Sequence, residues 1–238
     1  MNQKPEHPVI DQPQLRGDIW VFRDRIHAGE VMAEMLADFR DSETLVLGIP
    51  SGGIPVAAEI ARRLRLELDT AVVSKITLPW NTEAGYGAVA FDGTLWYNAG
   101  LTERLGLSQN DVETGIQETR RKVERRMELL RGDRPFPRLT DRTVVLVDDG
   151  LATGSTMRVA IRAIRKAGAS RRVVAVPTGH GDSVRELAEE VDALYCANVR
   201  EGYRFAVAEA YRRWRDEKET AVAEILRKFW ERADSSPP

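Results

Sequence analysis

Cysteine and histidine are scarce: the 238 residues contain one of the first and three of the second. A lone thiol rules out a disulfide framework, and a chain of this length can bury an adequate core without one. That thiol, Cys196, sits in the apolar segment ALYCANV with no histidine or basic residue beside it, which fits a buried side chain better than an activated nucleophile. No Cys/His spacing suggests zinc. Of the histidines, His180 in PTGHGDS follows an apolar run and reads as a turn residue before a catalytic one. Net charge is also lacking, with 35 Lys and Arg against 37 Asp and Glu, so no overall field draws nucleic acid or an anionic membrane and any anion site must be local. No apolar run approaches the ~20 residues of a membrane span. The polar start MNQKPEHPVIDQPQ lacks the basic and apolar regions of a signal peptide, so a cytoplasmic protein is expected. Neither the G-x-x-x-x-G-K-[ST] loop of a nucleotide triphosphatase nor the G-x-S-x-G elbow of a hydrolase occurs.

What is present is an α/β rhythm. Residues 1–20 read as an irregular arm, and IHAGEVMAEMLADF predicts a helix over 27–40. TLVLGI, PSGGIP and VAAEIARRL parse as strand, glycine turn and helix, with DTAVVS as the next strand. The 75–101 segment changes character and predicts a protruding loop with a two-stranded antiparallel piece around FDGT. SQNDVETGIQETRRKVERRMELLRG, capped by Ser108 and closed by Gly132, predicts one long charged helix. Its RRKVERR cluster is laced with glutamate and reads as a solvated face, so nucleic acid is not an expected partner. Strand, helix, strand, helix and strand then follow from TVVLVDDG to DALYCANV, and the tail over 205–232 has a helical pattern. The expected fold is one α/β domain over 1–238: a mostly parallel central sheet with helices on both faces, a mobile loop or hairpin at 75–101, and a small hood. A helical cap is expected over 199–238.

In such a sheet ligands bind beyond the carboxyl ends of the strands, and both glycine turns fall there. VVLVDDGLATGST places Asp148 and Asp149 at the end of an apolar strand and then a loop of small residues opening a helix. The backbone N–H groups of that loop and the positive end of the helix dipole suit a phosphate monoester, with Thr153, Ser155 and Thr156 adding hydroxyl donors. Carboxylates beside a phosphate site repel it unless they face neutral hydroxyls or a cation. Ribose hydroxyls meet the first condition and magnesium the second.

VVLVDDGLATGST resembles the phosphoribosyl-pyrophosphate (PRPP) signature of type I phosphoribosyltransferases, and the likeness extends over about residues 20–198. VFRDRIHAGEVMAEML is similar to the start of a bacterial subgroup of that family. The resemblance implies that Asp148 and Asp149 contact the ribose hydroxyls and hold magnesium directly or through water or ligand. It implies too that Ala152, Thr153, Gly154, Ser155 and Thr156 hold the 5′-phosphate and that Gly150 belongs to the PRPP-binding set. GIPSGGIP is similar to the pyrophosphate loop, so Ser51, Gly52 and Gly53 carry over; such loops often contain a non-proline cis peptide. SKITLP resembles the segment that gives a basic residue to the pyrophosphate, which makes Lys75 the match. Many relatives carry arginine where this chain has Ser51 and Ser74.

The implied activity is magnesium-dependent transfer of a 5-phosphoribosyl group from PRPP to a nitrogenous acceptor, with Lys75, Asp148 and Asp149 as the catalytic set and the 75–101 segment closing to exclude water. The rival expectation is a PRPP- or nucleotide-sensing regulator that binds without turnover. The hood is expected from the N-terminal arm, the segment after ALYCANV, or both. Within it Tyr203 and Phe205 either stack on the acceptor ring or simply pack in the cap. A homo-oligomer is expected.

Overall fold

The computed structural model describes residues 9–235. The chain runs through β1 (Val9–Asp11), α1 (Arg25–Met35), β2 (Leu45–Gly48), α2 (Gly53–Leu64) and β3 (Glu67–Thr70), then β4 (Val73–Leu78), β5 (Asn81–Ala90) and β6 (Leu95–Tyr97). Helices α3 (Ala99–Arg104) and α4 (Gln109–Arg131) lead to β7 (Thr143–Val147), α5 (Ser155–Lys166), β8 (Arg171–His180), α6 (Gly181–Ala188), β9 (Ala193–Arg200) and α7 (Glu219–Asp234). Six strands pair in parallel in the order β1-β9-β8-β7-β2-β3, and β4-β5-β6 form an antiparallel sheet.

A parallel sheet is stable when both faces are covered, and the alternation along β7 shows how this chain does it. Val145 and Val147 enter a core with α1 and α2, while Val144 and Leu146 enter a second core with α5 and α6. Helix α4 begins with a capping box between Ser108 and Asp111. It buries Ile116, Thr119, Val123, Arg126 and Leu130 as a single stripe, so a guanidinium occupies what would otherwise be an apolar position. At its end Arg131 forms a bidentate pair with Asp69 of β3 at 2.7 and 2.8 Å. Trp230 of α7 donates to the Leu68 carbonyl at 2.8 Å, which fixes the last helix against the same strand.

Several elements differ from the sequence reading. The arm is not irregular throughout: at Val9–Asp11 β1 adds an edge strand beside β9, and the residues before Val9 lie outside those described. DTAVVS does not form one strand: the chain leaves the large sheet after Thr70 and enters the small one at Val73. The 75–101 segment is part of a three-stranded sheet with a following helix, not a two-stranded piece. The reason is burial, since Ile76 and Val89 join one core while Val73, Ala88 and Ala90 join the other. The helix predicted over 27–40 starts at Arg25 and tightens to a 3-10 turn at Ala37–Phe39. The tail becomes α-helical only at Glu219, because residues before it wrap around Arg25. No helix among the described residues is long and apolar enough to cross a membrane.

Candidate active site

β7 lies inside the sheet between β8 and β2, and its carboxyl end delivers Asp148 and Asp149 to the crevice. The loop after them is tied to β8, with Leu151 N–H donating to the Thr178 carbonyl and His180 N–H to the Leu151 carbonyl, both at 2.9 Å. Ala152 and Thr153 are exposed, Ser155 and Thr156 half-buried. Gly154 sits at φ 71°, in the left-handed region, directly before α5. Arg158 makes the first backbone hydrogen bond back into this turn, to the Gly154 carbonyl at 2.8 Å, which leaves the preceding N–H groups of α5 without a partner inside the helix. A Cβ on Gly154 would lie 2.8 Å from Leu187 Cδ1. Gly154→Ala therefore combines a left-handed backbone with a steric conflict and is expected to lose about 1–2 kcal/mol of stability. Urea denaturation checks this, and an unchanged midpoint would contradict the loop conformation described.

The turn between β2 and α2 approaches the same carboxylates from the other side. Its Pro50-Ser51 peptide is cis, as the resemblance implied. A Cβ on Gly52 would stand 1.9 Å from Asp149 Oδ2, and one on Gly53 would stand 2.6 Å from the Val147 carbonyl and 2.9 Å from Asp148 Cα. Only glycine lets this loop lie so close to the acidic pair. The structure thus brings Ser51, Gly52 and Gly53 together with Asp148 and Asp149, between the N-termini of α2 and α5.

The two carboxylates have different surroundings. Asp149 pairs with Arg25 at 2.8 Å, and its backbone carbonyl accepts a hydrogen bond from the Tyr211 hydroxyl at 2.5 Å. Asp148 accepts from the Asp149 N–H at 2.9 Å and has no cation of its own among the described residues. Burial, reinforced by the charge of Asp149, pushes the Asp148 carboxyl well above the usual carboxylate range. Burial also raises Asp149, but Arg25 opposes it, so Asp148 is the member that keeps its proton longer. Burial and the nearby Asp149 push the Tyr211 hydroxyl well upward as well, so it stays a donor.

Sequence reasoning missed Arg25 and the segment that holds it. Its guanidinium also donates to the Arg215 carbonyl at 2.8 Å and to Glu217 at 3.2 Å, and it lies 4.0 Å from the Trp214 ring centroid. One signal was available: Asp24 caps α1, and a cation directly after the cap opposes the helix dipole. Gly150 is covered by Val207 of a 3-10 turn, where a Cβ would lie 2.4 Å from Val207 Cγ1. The hood over the acidic pair is therefore built from residues 207–217. Phe205 is half-buried between His180, at 5.8 Å between ring centroids, and Arg200. Tyr203, in contrast, is fully exposed and packs in no cap.

Lys75 is exposed on β4 and lines a groove of about 420 Å³ with Thr77, Lys122 and Arg125. Among the described residues, the cationic side chain within hydrogen-bonding distance of the β2 to α2 loop is instead Arg126, whose Nη2 lies 3.5 Å from Ser51 Oγ.

A model of the phosphoribosyl transferase domain family matches residues 24–195. Two curated relatives from Mycobacterium tuberculosis, strains CDC 1551 / Oshkosh and ATCC 25618 / H37Rv, are named provisionally as phosphoribosyl transferases; each is 34% identical over 206 residues, or 87% of this chain. The chain spans 46% of the length of these relatives. The crystal structure of TT1426 from Thermus thermophilus is similar over 87% of this chain and 98% of its own, at 36% identity and a TM-score of 0.72.

Proposed function

The chain belongs to the phosphoribosyl transferase domain family, and we propose that it transfers the 5-phosphoribosyl group of PRPP to a small nitrogenous acceptor. One observation carries this reading: Asp148 and Asp149 stand between two helix N-termini, with Gly52 and Gly53 pressed against them. That arrangement offers two anion sites on either side of two carboxylates, which is the charge pattern of a sugar carrying a phosphate at one end and a pyrophosphate at the other.

In this reading the loop over 152–156 holds the 5′-phosphate, Asp148 and Asp149 accept hydrogen bonds from the ribose hydroxyls, and the loop over 51–53 holds the pyrophosphate. The C1–O bond breaks with its electron pair leaving on the pyrophosphate, and the acceptor nitrogen supplies the pair that forms the C1–N bond. The residues act by holding the reacting atoms in line and by meeting charge that develops on the leaving group. The oxygen-only donor set fits magnesium. Among the described residues no group of three or more His, Cys, Asp or Glu could hold a metal ion, so Asp148 and Asp149 would share magnesium with oxygens of the ligand. Bound there, magnesium would offset the negative charge of the diphosphate.

The test is incubation of the protein with PRPP, magnesium and a panel of purine, pyrimidine and other nitrogen acceptors while pyrophosphate is measured. Acceptor-dependent release is the expected result. PRPP binding without release across the panel would replace the transferase reading with that of a ligand-sensing protein.

A further inference from the structure

Arg126 lies in the C-terminal third of α4, and its side chain is only 10% exposed. Nη1 donates to the Val73 carbonyl at 3.1 Å and to Ser74 Oγ at 3.2 Å, which anchors the group on β4. Nη2 is turned to the loop over 51–53, where its bond to Ser51 Oγ is at the outer limit of 3.5 Å. Nε is ion-paired with Glu219 Oε1 at 2.6 Å but makes no hydrogen bond. A guanidinium has five N–H donors, and here Nε has no hydrogen bond while the Nη2 bond toward the glycine loop is a long one. Its counter-charge, Glu219, is 42% exposed, so a further acceptor at the loop would complete the donors of this buried cation. The other guanidinium nearby, Arg25, is committed to Asp149 and Glu217.

We propose that Arg126 is a pyrophosphate-binding residue, supplying to the loop over 51–53 a positive charge that the loop itself lacks. The inference rests on the PRPP reading, because that reading places the leaving group at this loop. Positive charge reaches the site from α4 beside Ser51 and Ser74, with Nη2 the nitrogen turned toward the loop and able to donate to a phosphoryl oxygen.

The experiment compares magnesium pyrophosphate with ribose 5-phosphate, each titrated calorimetrically into wild type, Arg126→Gln, Arg126→Lys and Arg125→Gln. Arg125 neighbours Arg126 on α4 but lines the outer groove, so it controls for general charge. Arg126→Gln is expected to weaken pyrophosphate about 10-fold or more, as for loss of a charge-assisted hydrogen bond, and to leave ribose 5-phosphate within about two-fold. Arg126→Lys should lose less pyrophosphate affinity, and Arg125→Gln almost none. Thermal unfolding identifies a variant that fails to fold; if that is Arg126→Gln, the same selective loss must appear in Arg126→Lys. Undiminished pyrophosphate binding in the folded variants, or equal loss of both probes, would overturn the role of Arg126 and leave the PRPP reading intact. Failure of the wild type to bind either probe would instead remove the PRPP reading and this inference together.

Discussion

Arg25→Met is expected to destabilise the protein by about 3–5 kcal/mol, the usual cost of removing one partner from a buried ion pair. The side chain is 7% exposed, and the two carboxylates it serves, Asp149 and Glu217, are 15% and 12% exposed. Methionine preserves much of the apolar stem, so the loss isolates the charge. Without the guanidinium, Asp149 loses its counter-charge, Glu217 keeps only the exposed Arg215 at 3.7 Å, and the hood loses its central contact at Arg215 and Trp214. Urea denaturation measures the effect. Adding Asp149→Asn and Glu217→Gln to Arg25→Met should recover part of the loss, because the stranded charges are then gone. A loss below about 1 kcal/mol, typical of an exposed pair, would show that the hood does not close on Arg25 as described.

Asp148→Asn should have effects of opposite sign on stability and on binding. The raised carboxyl of Asp148 means that the folded chain holds this proton in a pH range where the unfolded chain has released it. Between the ordinary carboxylate range and the raised folded value, Asp148 therefore removes stability as pH rises; below that range it costs nothing. Asparagine keeps an oxygen for the Asp149 N–H and cannot ionise. The variant should gain roughly 0.5–2 kcal/mol at neutral pH, as when a functional but unfavourable group is neutralised, and the gain should vanish toward pH ~4, near the carboxylate's ordinary value. PRPP affinity should fall on the order of 10–100-fold, the value of a hydrogen bond to a charged group. Thermal unfolding across pH and calorimetry at one pH measure the two quantities. A variant less stable than wild type at neutral pH would contradict the account of Asp148 as a destabilising group retained for its ligand.

The parts of this site visible in the sequence are those with a local cause. Asp148, Asp149 and the loop over 150–156 follow one another, and the turn over 51–53 carries its own glycines between an apolar strand and a helix. Parallel pairing then brings the two turns to one edge of the sheet without further information. Arg25 and Arg126 reach the same edge from separations of 124 and 75 residues, and such convergence leaves no periodicity to read. Arg126 was hidden further by its neighbours in RRKVERR, whose charges do line a surface. The tail misled for a related reason: Tyr211 and Trp214 have helical spacing, yet they are spaced to flank Arg25, with the Tyr211 ring 5.9 Å and the Trp214 ring 4.0 Å from it. The split between β3 and β4 is invisible in the apolar run that contains both, because each part is buried whichever sheet it joins.

Calorimetric titration of PRPP with magnesium into the wild-type chain and into Asp148→Asn/Asp149→Asn decides whether the acidic pair reads the sugar. The wild type is expected to show one saturable site and the double variant, shown to be folded by thermal unfolding, no measurable binding. Undiminished affinity in the double variant would contradict the assignment of this crevice to PRPP.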